Sequence, residues 1–287
     1  MPAAPALPRA LISAAELRAL LAGGARCVLL DCSFELADPA AGESAYAAGH
    51  LPGALYVHLD RDLSGAKTGG NGGGRHPLPE REAFAARAGS WGIAPGVPVV
   101  CCDAQGMPYA ARAWWLLRWL GHDAVAVLDG GVAAWVAAGA ALESTPGIAR
   151  AAEPYPPRAA AMPSVTADEL QRHLGQRPLL DARAAERFRG EIDPLDPVAG
   201  HIPGALNRFF KLNLDDAGCF RPAEVLRAEF AALAADPAQL VHQCGSGVTA
   251  CHNLLAMEHA GLSGSALYAG SWSEWCADAS RPVARGA

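Results

Sequence analysis

The chain has 287 residues, of which 51% are hydrophobic and 18% are charged, and its net charge is −6. This length exceeds one typical domain and suits two, and the hydrophobic fraction can fill two cores. The acidic balance and the lack of a Lys/Arg run argue against nucleic-acid binding, and no stretch is long and apolar enough to span a membrane.

The N-terminal residues do not have the pattern of a signal peptide. They lack a basic start, and Pro2, Pro5 and Pro8 interrupt the apolar run. We therefore expect a cytoplasmic protein with no membrane partner. In that reducing compartment the eight cysteines are expected to be free thiols.

Predicted strands and helices alternate along the chain. Ser13 to Glu16 and Thr166 to Glu169 have capping-box spacing before amphipathic helices. Short apolar runs predict buried strands at residues 27–30, 97–101, 124–128, 240–242 and 265–267. Longer helices are predicted at residues 110–120 and 249–260. The alternation predicts an α/β fold with central parallel sheets flanked by helices.

An internal repeat divides the chain into two similar halves. The sequence HLPGA at residues 50–54 recurs as HIPGA at 201–205, and each follows an apolar run that ends in aspartate. Asp103 and Cys244 stand at matching places further along. The repeat predicts an N-terminal domain at 8–142 and a C-terminal domain at 164–283. The Pro-rich segment 143–163 between them should be an extended linker without helix.

The clearest chemical feature is the loop CGSGVT, residues 244–249, between a predicted strand and a predicted helix. Ligands bind at the carboxyl ends of parallel strands, where Cys244 falls. Gly245 and Gly247 let the backbone turn its N–H groups inward, and the helix start adds positive potential. Such a cradle would hold a thiolate, a persulfide anion or an oxyanion.

Cys244 could instead pack as a small hydrophobe, but the Gly-Ser-Gly surroundings favour a reactive cysteine. The other cysteines fit the packing role: Cys27, Cys32, Cys101, Cys102, Cys219, Cys251 and Cys276. Phosphatase chemistry would need an arginine where Ala250 stands. No local signature supports acyl transfer. No metal or organic cofactor is implied, and the histidines do not have a metal-binding spacing with the cysteines.

Several motifs together resemble two-domain rhodaneses: HLPGA and HIPGA, RFRG at 187–190, CGSGVTAC at 244–251 and GSWSEW at 270–275. The resemblance implies two tandem rhodanese-like domains. It also implies a catalytically inactive N-terminal copy, in which Asp103 replaces the cysteine, and an active C-terminal copy. The implied activity is a sulfurtransferase that carries a persulfide on Cys244.

The loop resembles that of the 3-mercaptopyruvate-using members, whereas thiosulfate-preferring members carry basic residues after the cysteine. This resemblance implies that Ser246 works with His76 and Asp60 in a proton relay, although His76 could instead be a surface-loop histidine. The cradle residues would be Gly245, Gly247, Val248 and Thr249.

Arg187 matches an arginine that the family uses to hold a substrate carboxylate, although it could also be an exposed helix charge. A second family arginine is missing, because Pro194 occupies its position. Arg208 is a hypothetical substitute.

The favoured donor is therefore 3-mercaptopyruvate, with thiosulfate as the alternative. The acceptor would be a thiol, cyanide or a thioredoxin-like protein. Two alternatives belong to other functional classes. The protein could be a persulfide carrier with little turnover of small donors, or it could be a non-catalytic scaffold.

Overall fold

A computed structural model describes residue 7 and residues 10–24, 26–67 and 73–287. The described residues do not include Pro2, Pro5 or Pro8. The predicted start of the first domain, at residue 8, therefore also lies outside them. Within the described residues, no helix combines the length and the apolar composition needed to cross a membrane.

The chain forms two compact units, and each takes in a short stretch of the other repeat. The first unit contains the described residues as far as Leu63, with Pro79–Ala161 and Asp215–Phe220. The second contains the described residues of Ser64–Leu78, with Met162–Leu214 and Arg221–Ala287. The predicted domain boundaries were contiguous and did not include this exchange of residues 64–78 and 215–220.

The first unit is built on a five-stranded parallel sheet with the strand order β1-β5-β4-β2-β3. Its strands are β1 (Leu11–Ile12), β2 (Val28–Asp31), β3 (Leu55–Tyr56), β4 (Val99–Cys102) and β5 (Val125–Leu128). Its helices are α1 (Ala14–Ala22), α2 (Ala41–Ala48), α3 (Leu59–Asp62), α4 (Arg81–Ser90), α5 (Pro108–Trp119) and α6 (Gly131–Ala137).

The second unit repeats this topology, with the strand order β6-β10-β9-β7-β8, again all parallel. Its strands are β6 (Ser164–Val165), β7 (Leu179–Asp181), β8 (Ala205–Asn207), β9 (Val241–Gln243) and β10 (Ala266–Tyr268). Its α-helices are α7 (Ala167–Arg172), α8 (Ala185–Phe188), α9 (Ala223–Leu233), α10 (Thr249–His259) and α11 (Ser271–Trp275), and two 3₁₀ helices lie at Phe210–Asn213 and Pro237–Gln239.

Local sequence accounts for where these elements begin and which faces they bury. Both predicted capping boxes form, at Ser13 and at Thr166, so that each satisfies free N–H groups at a helix start. The central strands β2, β4 and β5 are buried along their whole length, as expected for a parallel sheet covered by helices on both faces. The α/β prediction with parallel sheets is confirmed.

Each unit has its own hydrophobic core at the equivalent place. Leu17, Val100 and Trp135 belong to the core of the first unit, and Leu170 and Trp275 belong to that of the second. Between the repeats, residues 145–163 contain neither helix nor strand, as expected from their prolines.

Candidate active site

Cys244 lies at the carboxyl end of β9, in the loop that leads to α10, and only 2% of its surface is exposed. The segment that begins α11 holds this loop in place. The Cys244 N–H donates to Ser271 Oγ over 3.1 Å, and the Cys244 carbonyl accepts from Trp272 N over 3.0 Å. Ser271 has a φ of 55°, and its hydroxyl donates to the Tyr268 carbonyl over 2.9 Å. The backbone of Cys244 is thus fixed by a neighbouring turn with a left-handed residue.

The glycine at 247 is required by the path of the loop. Its φ is +76°, and a methyl group added there would overlap the carbonyl oxygen of Ala269. The backbone therefore turns tightly between Cys244 and the start of α10, as the sequence predicts. Val248 is buried at the helix start, and Thr249 is the first residue of α10.

The equivalent loop of the first unit shows what such a cradle binds. Asp103 is fully buried, and its carboxylate accepts hydrogen bonds from the N–H groups of Gln105, Met107, Tyr109 and Ala110 at 2.7–3.0 Å. Burial raises the pKa of Asp103 to about 6, while these hydrogen bonds oppose the rise. In this fold the turn between strand and helix therefore wraps a buried anion in backbone N–H groups.

Ser246 and His76 meet in the second unit. Ser246 Oγ is hydrogen-bonded to His76 Nδ1 over 2.7 Å, and both side chains are buried. His76 comes from the stretch 64–78, which belongs to the same compact unit as Cys244. Asp60 lies on α3 of the first unit, where its N–H donates to His58 Nδ1 over 3.1 Å.

Arg187 lies in a cluster of alternating charges next to the loop. Its Nη2 is 2.9 Å from Asp193 Oδ1 and 3.2 Å from Asp196 Oδ2. A methyl group at Gly245 would stand 3.5 Å from Arg187 Nη1, so this guanidinium lies over the Cys244 loop. The side chain is 17% exposed rather than solvated along a helix face.

Arg183 continues the cluster inward. It pairs with Asp181 over 2.7 Å and with Asp193 over 3.4 Å, and its guanidinium lies 5.0 Å from the centre of the Trp272 ring. Burial favours a lower pKa for Arg183, but the two carboxylates outweigh it and raise the pKa. Arg183 is therefore a permanent buried cation that connects the acidic loop to the α11 segment.

Arg208 lies elsewhere. Its guanidinium pairs with Glu229 over 2.9 Å, bonds to Asn213 over 3.0 Å and lies 4.4 Å from the centre of the Phe230 ring. These partners come from α9 and the 3₁₀ helix Phe210–Asn213, not from the Cys244 loop. The structure therefore brings Arg187 to the loop and ties Arg208 to a separate buried cluster.

The other cysteines have surroundings that suit packing. Burial raises the pKa of Cys27 to about 12 and that of Cys276 to about 11, and it raises the pKa values of Cys32 and Cys102 well above the usual range. All eight cysteines are free thiols.

Sequence reasoning did not single out Arg75, Asp196 or Ser271, although each stands close to a residue or within a motif that it named. Arg75 precedes His76, Asp196 follows Pro194, and Ser271 lies in GSWSEW. The acidic loop beside a proline was the available signal. Its partner Arg75 lies 121 residues away, which local patterns cannot reveal.

Comparison with known proteins agrees with this arrangement. Residues 13–138 and 166–278 each match the Rhodanese-like domain. A Pseudomonas aeruginosa protein named a probable 3-mercaptopyruvate sulfurtransferase is 48% identical over 264 residues, covering 90% of this chain and 92% of that protein. The thiosulfate sulfurtransferase of Gallus gallus is 33% identical, covering 95% of each chain.

A solved structure is similar along most of this chain. The 3-mercaptopyruvate sulfurtransferase from Leishmania major superposes with a TM-score of 0.82 at 32% identity, covering 93% of this chain and 74% of that one. With two matched copies of the domain and relatives above 30% identity along almost its full length, this chain belongs to the rhodanese family of sulfurtransferases.

Proposed function

We propose that this protein moves sulfur from 3-mercaptopyruvate to a thiol acceptor through a persulfide on Cys244. The observation that carries the choice of donor is the 2.7 Å hydrogen bond between Ser246 and His76, in the same unit as the nucleophile. Release of pyruvate from this donor requires a proton transfer, and release of sulfite from thiosulfate does not.

In the first half-reaction, the Cys244 thiolate attacks the thiol sulfur of 3-mercaptopyruvate. The new S–S bond forms as the C–S bond breaks, and the electron pair of that bond leaves on the pyruvate enolate. The proton of the donor thiol ends on the enolate carbon, which gives pyruvate and the Cys244 persulfide anion. The Ser246–His76 pair would carry this proton.

In the second half-reaction, an acceptor thiolate attacks the outer sulfur of the protonated persulfide. The acceptor leaves as its own persulfide, and the Cys244 thiolate returns. Because donor and acceptor use the same cysteine in turn, ping-pong kinetics are expected. Cyanide or a thioredoxin-like protein could act as acceptor in the same way.

The remaining assignments rest on the resemblance and on the cradle. Asp60 would complete the relay with His76, and Arg187 would hold the donor carboxylate. Gly245, Gly247, Val248 and Thr249 would supply the backbone around the persulfide anion, by analogy with the four N–H groups around Asp103. The N-terminal copy would be inactive because Asp103 fills its cradle.

A further proposal concerns the place of the protein in the cell. A cytoplasmic location suits a chain whose eight cysteines are free thiols, because thiols stay reduced in that compartment. Cell fractionation tests this.

The decisive experiment compares steady-state kinetics with 3-mercaptopyruvate and with thiosulfate, using a small thiol as acceptor. We expect kcat/KM to favour 3-mercaptopyruvate, and the mass of the donor-treated protein to rise by one sulfur atom, except in Cys244→Ser. A ratio that favours thiosulfate would reassign the protein to the chemistry of its Gallus gallus relative. A stable persulfide without turnover of either donor would indicate a sulfur carrier.

A further inference from the structure

Arg75 is an unassigned arginine that the structure fixes beside the Cys244 loop. Its backbone N–H donates to Ser273 Oγ over 3.0 Å. Two residues earlier, the N–H of Gly73 donates to Glu274 Oε1 over 3.0 Å. The segment that carries Arg75 and His76 is therefore attached to α11, the helix whose first turn also holds Cys244.

The guanidinium of Arg75 is tied to the same carboxylate as that of Arg187. Arg75 Nη1 is 2.6 Å from Asp196 Oδ1, and Arg187 Nη2 is 3.2 Å from Asp196 Oδ2. Asp196 is almost fully buried, with 3% of its side chain exposed. One buried carboxylate thus sets the spacing of two cations.

Both cations face one point above the Cys244 loop. A methyl group on Gly245 would lie 3.2 Å from Arg75 Nη2 and 3.5 Å from Arg187 Nη1. The space next to the nucleophile is therefore bounded by two guanidinium groups, and an anionic group of a bound donor would contact both.

Hydrogen-bond donors remain available in both groups. Nε of Arg75 and Nε of Arg187 are buried, and neither has a hydrogen-bond partner among the described residues. The ion pairs of Arg187 with Asp193 and Asp196 use only its Nη2. Buried donors without partners are uncommon in folded proteins, so these atoms indicate a place for a ligand or for ordered water.

On these observations, and resting on the proposed function, we infer that Arg75 is a substrate-binding residue that forms, with Arg187, a two-arginine clamp for the carboxylate of the donor. The loop in which Pro194 stands carries no arginine. It supplies Asp196 instead, and Asp196 positions an arginine from the first repeat. Arg208 cannot serve in this way, because Glu229 and Phe230 hold it in another cluster.

The test is to titrate pyruvate, which carries the same carboxylate, into Cys244→Ser protein by calorimetry. Adding Arg75→Gln should raise the Kd about 10-fold or more, the usual value of one charge-assisted hydrogen bond. With Arg75→Lys instead, the Kd should lie between that of the Cys244→Ser protein and that of the Arg75→Gln variant, because lysine keeps the charge but lacks the forked geometry of arginine. Arg189→Ala is the matched control and should leave the Kd unchanged, since Arg189 is 39% exposed and forms its ion pair with the exposed Glu191.

In the otherwise wild-type protein, Arg75→Gln should raise KM for 3-mercaptopyruvate by a similar factor while kcat changes little, which a purely structural role would not produce. An unchanged pyruvate Kd in folded Arg75→Gln, or no pyruvate binding at all, overturns the inference. Should Arg75→Gln not fold, an unchanged Kd in Arg75→Lys overturns it equally. Failure of the proposed function is a separate result, because it appears as wild-type protein that does not turn over 3-mercaptopyruvate.

Discussion

Cys244 and Asp103 occupy the same turn in the two units, and their side chains decide what each turn can do. A carboxylate in the cradle is a permanent occupant, since four N–H groups already bond to it. A thiol in the same turn can accept and release a sulfur atom. The two equivalent turns therefore differ in the side chain at one position, a carboxylate in the first unit and a thiol in the second.

The Ser246 hydroxyl gives a first prediction at this scale. Ser246→Ala removes the group that bonds to His76, so kcat with 3-mercaptopyruvate should fall roughly 10²–10⁴-fold, the range for loss of positioned proton transfer. Turnover of thiosulfate is the internal control and should fall much less, because sulfite leaves without a proton. Equal losses with both donors would contradict a relay role.

The Asp103 carboxyl group gives a second prediction at the scale of single residues. Its pKa rises from about 3.9 in the unfolded chain to about 6 in the folded one, so protonation favours the folded state. This contribution to stability is complete below pH 4 and is lost as the pH rises through 6. Relative to Asp103→Asn, which does not titrate, the wild-type free energy of unfolding should fall by up to about 3 kcal/mol from pH 4 to pH 7.

Urea unfolding of both proteins across this pH range measures the difference. A difference that grows with pH would mean that the four N–H groups outweigh burial and lower the pKa. The comparison does not depend on the absolute stability of the variant, because only the pH dependence is interpreted.

Sequence alone predicted the features of the loop that carry a local pattern and missed the contacts that do not. Cys244, Gly247 and the loop were predictable from the strand, loop and helix order. Arg75 was not, because its partner Asp196 is distant in the chain. Arg208 was a reasonable substitute by position, but a buried pairing with Glu229 fixes its direction.

At the scale of elements, the loop between β9 and α10 contains two glycines, and a side chain is unfavourable at each of them for a different physical reason. Gly247 has a positive φ, and a side chain would collide with the backbone of Ala269. The three atoms nearest to a methyl group added at Gly245 would all be ends of arginine side chains, from Arg75 and Arg187.

Matched alanine substitutions should separate these reasons. Gly247→Ala should destabilise the protein by about 1–3 kcal/mol or more, seen as a lower Tm. Gly245→Ala should change Tm little but raise KM for the donor, because its methyl group enters the space between the two guanidiniums. If Gly245→Ala lowers Tm as much as Gly247→Ala, the open space above the loop is not what the glycine provides.

The strands show why element boundaries were approximate. Apolar runs predicted β2, β4, β5, β9 and β10 within two residues, but the strands extend into polar residues such as Asp31 and Gln243, which are also buried. The two-residue strands β1, β3 and β6 are too short to show a period and were not predicted.

At the scale of the whole molecule, the exchange of residues 64–78 and 215–220 should couple the unfolding of the two units. Unfolding either unit would leave part of the other attached at both ends to unfolded chain. We expect a single calorimetric transition, although each unit has a hydrophobic core of its own.

Core variants test this coupling. Leu17→Ala in the first core and Leu170→Ala in the second remove buried side chains, each at a cost of about 2–5 kcal/mol. Either variant should move the whole transition to lower temperature. Two resolved transitions, of which only one moves, would show that the units unfold independently.

The domain prediction missed this exchange for a physical reason. The repeat identifies which residues correspond, because corresponding residues keep their motifs. It does not identify which sheet a connecting stretch packs against, because residues 64–78 and 215–220 are continuous in sequence with the repeat that they leave.

The exchange also bears on how such a chain can evolve. After duplication, a copy that loses its nucleophile would ordinarily be free to decay or to be deleted. Here the first copy supplies the stretch that carries His76 to the compact unit of Cys244, so deletion would remove a partner of Ser246. On the proposed function, selection on the second copy would therefore also preserve the first.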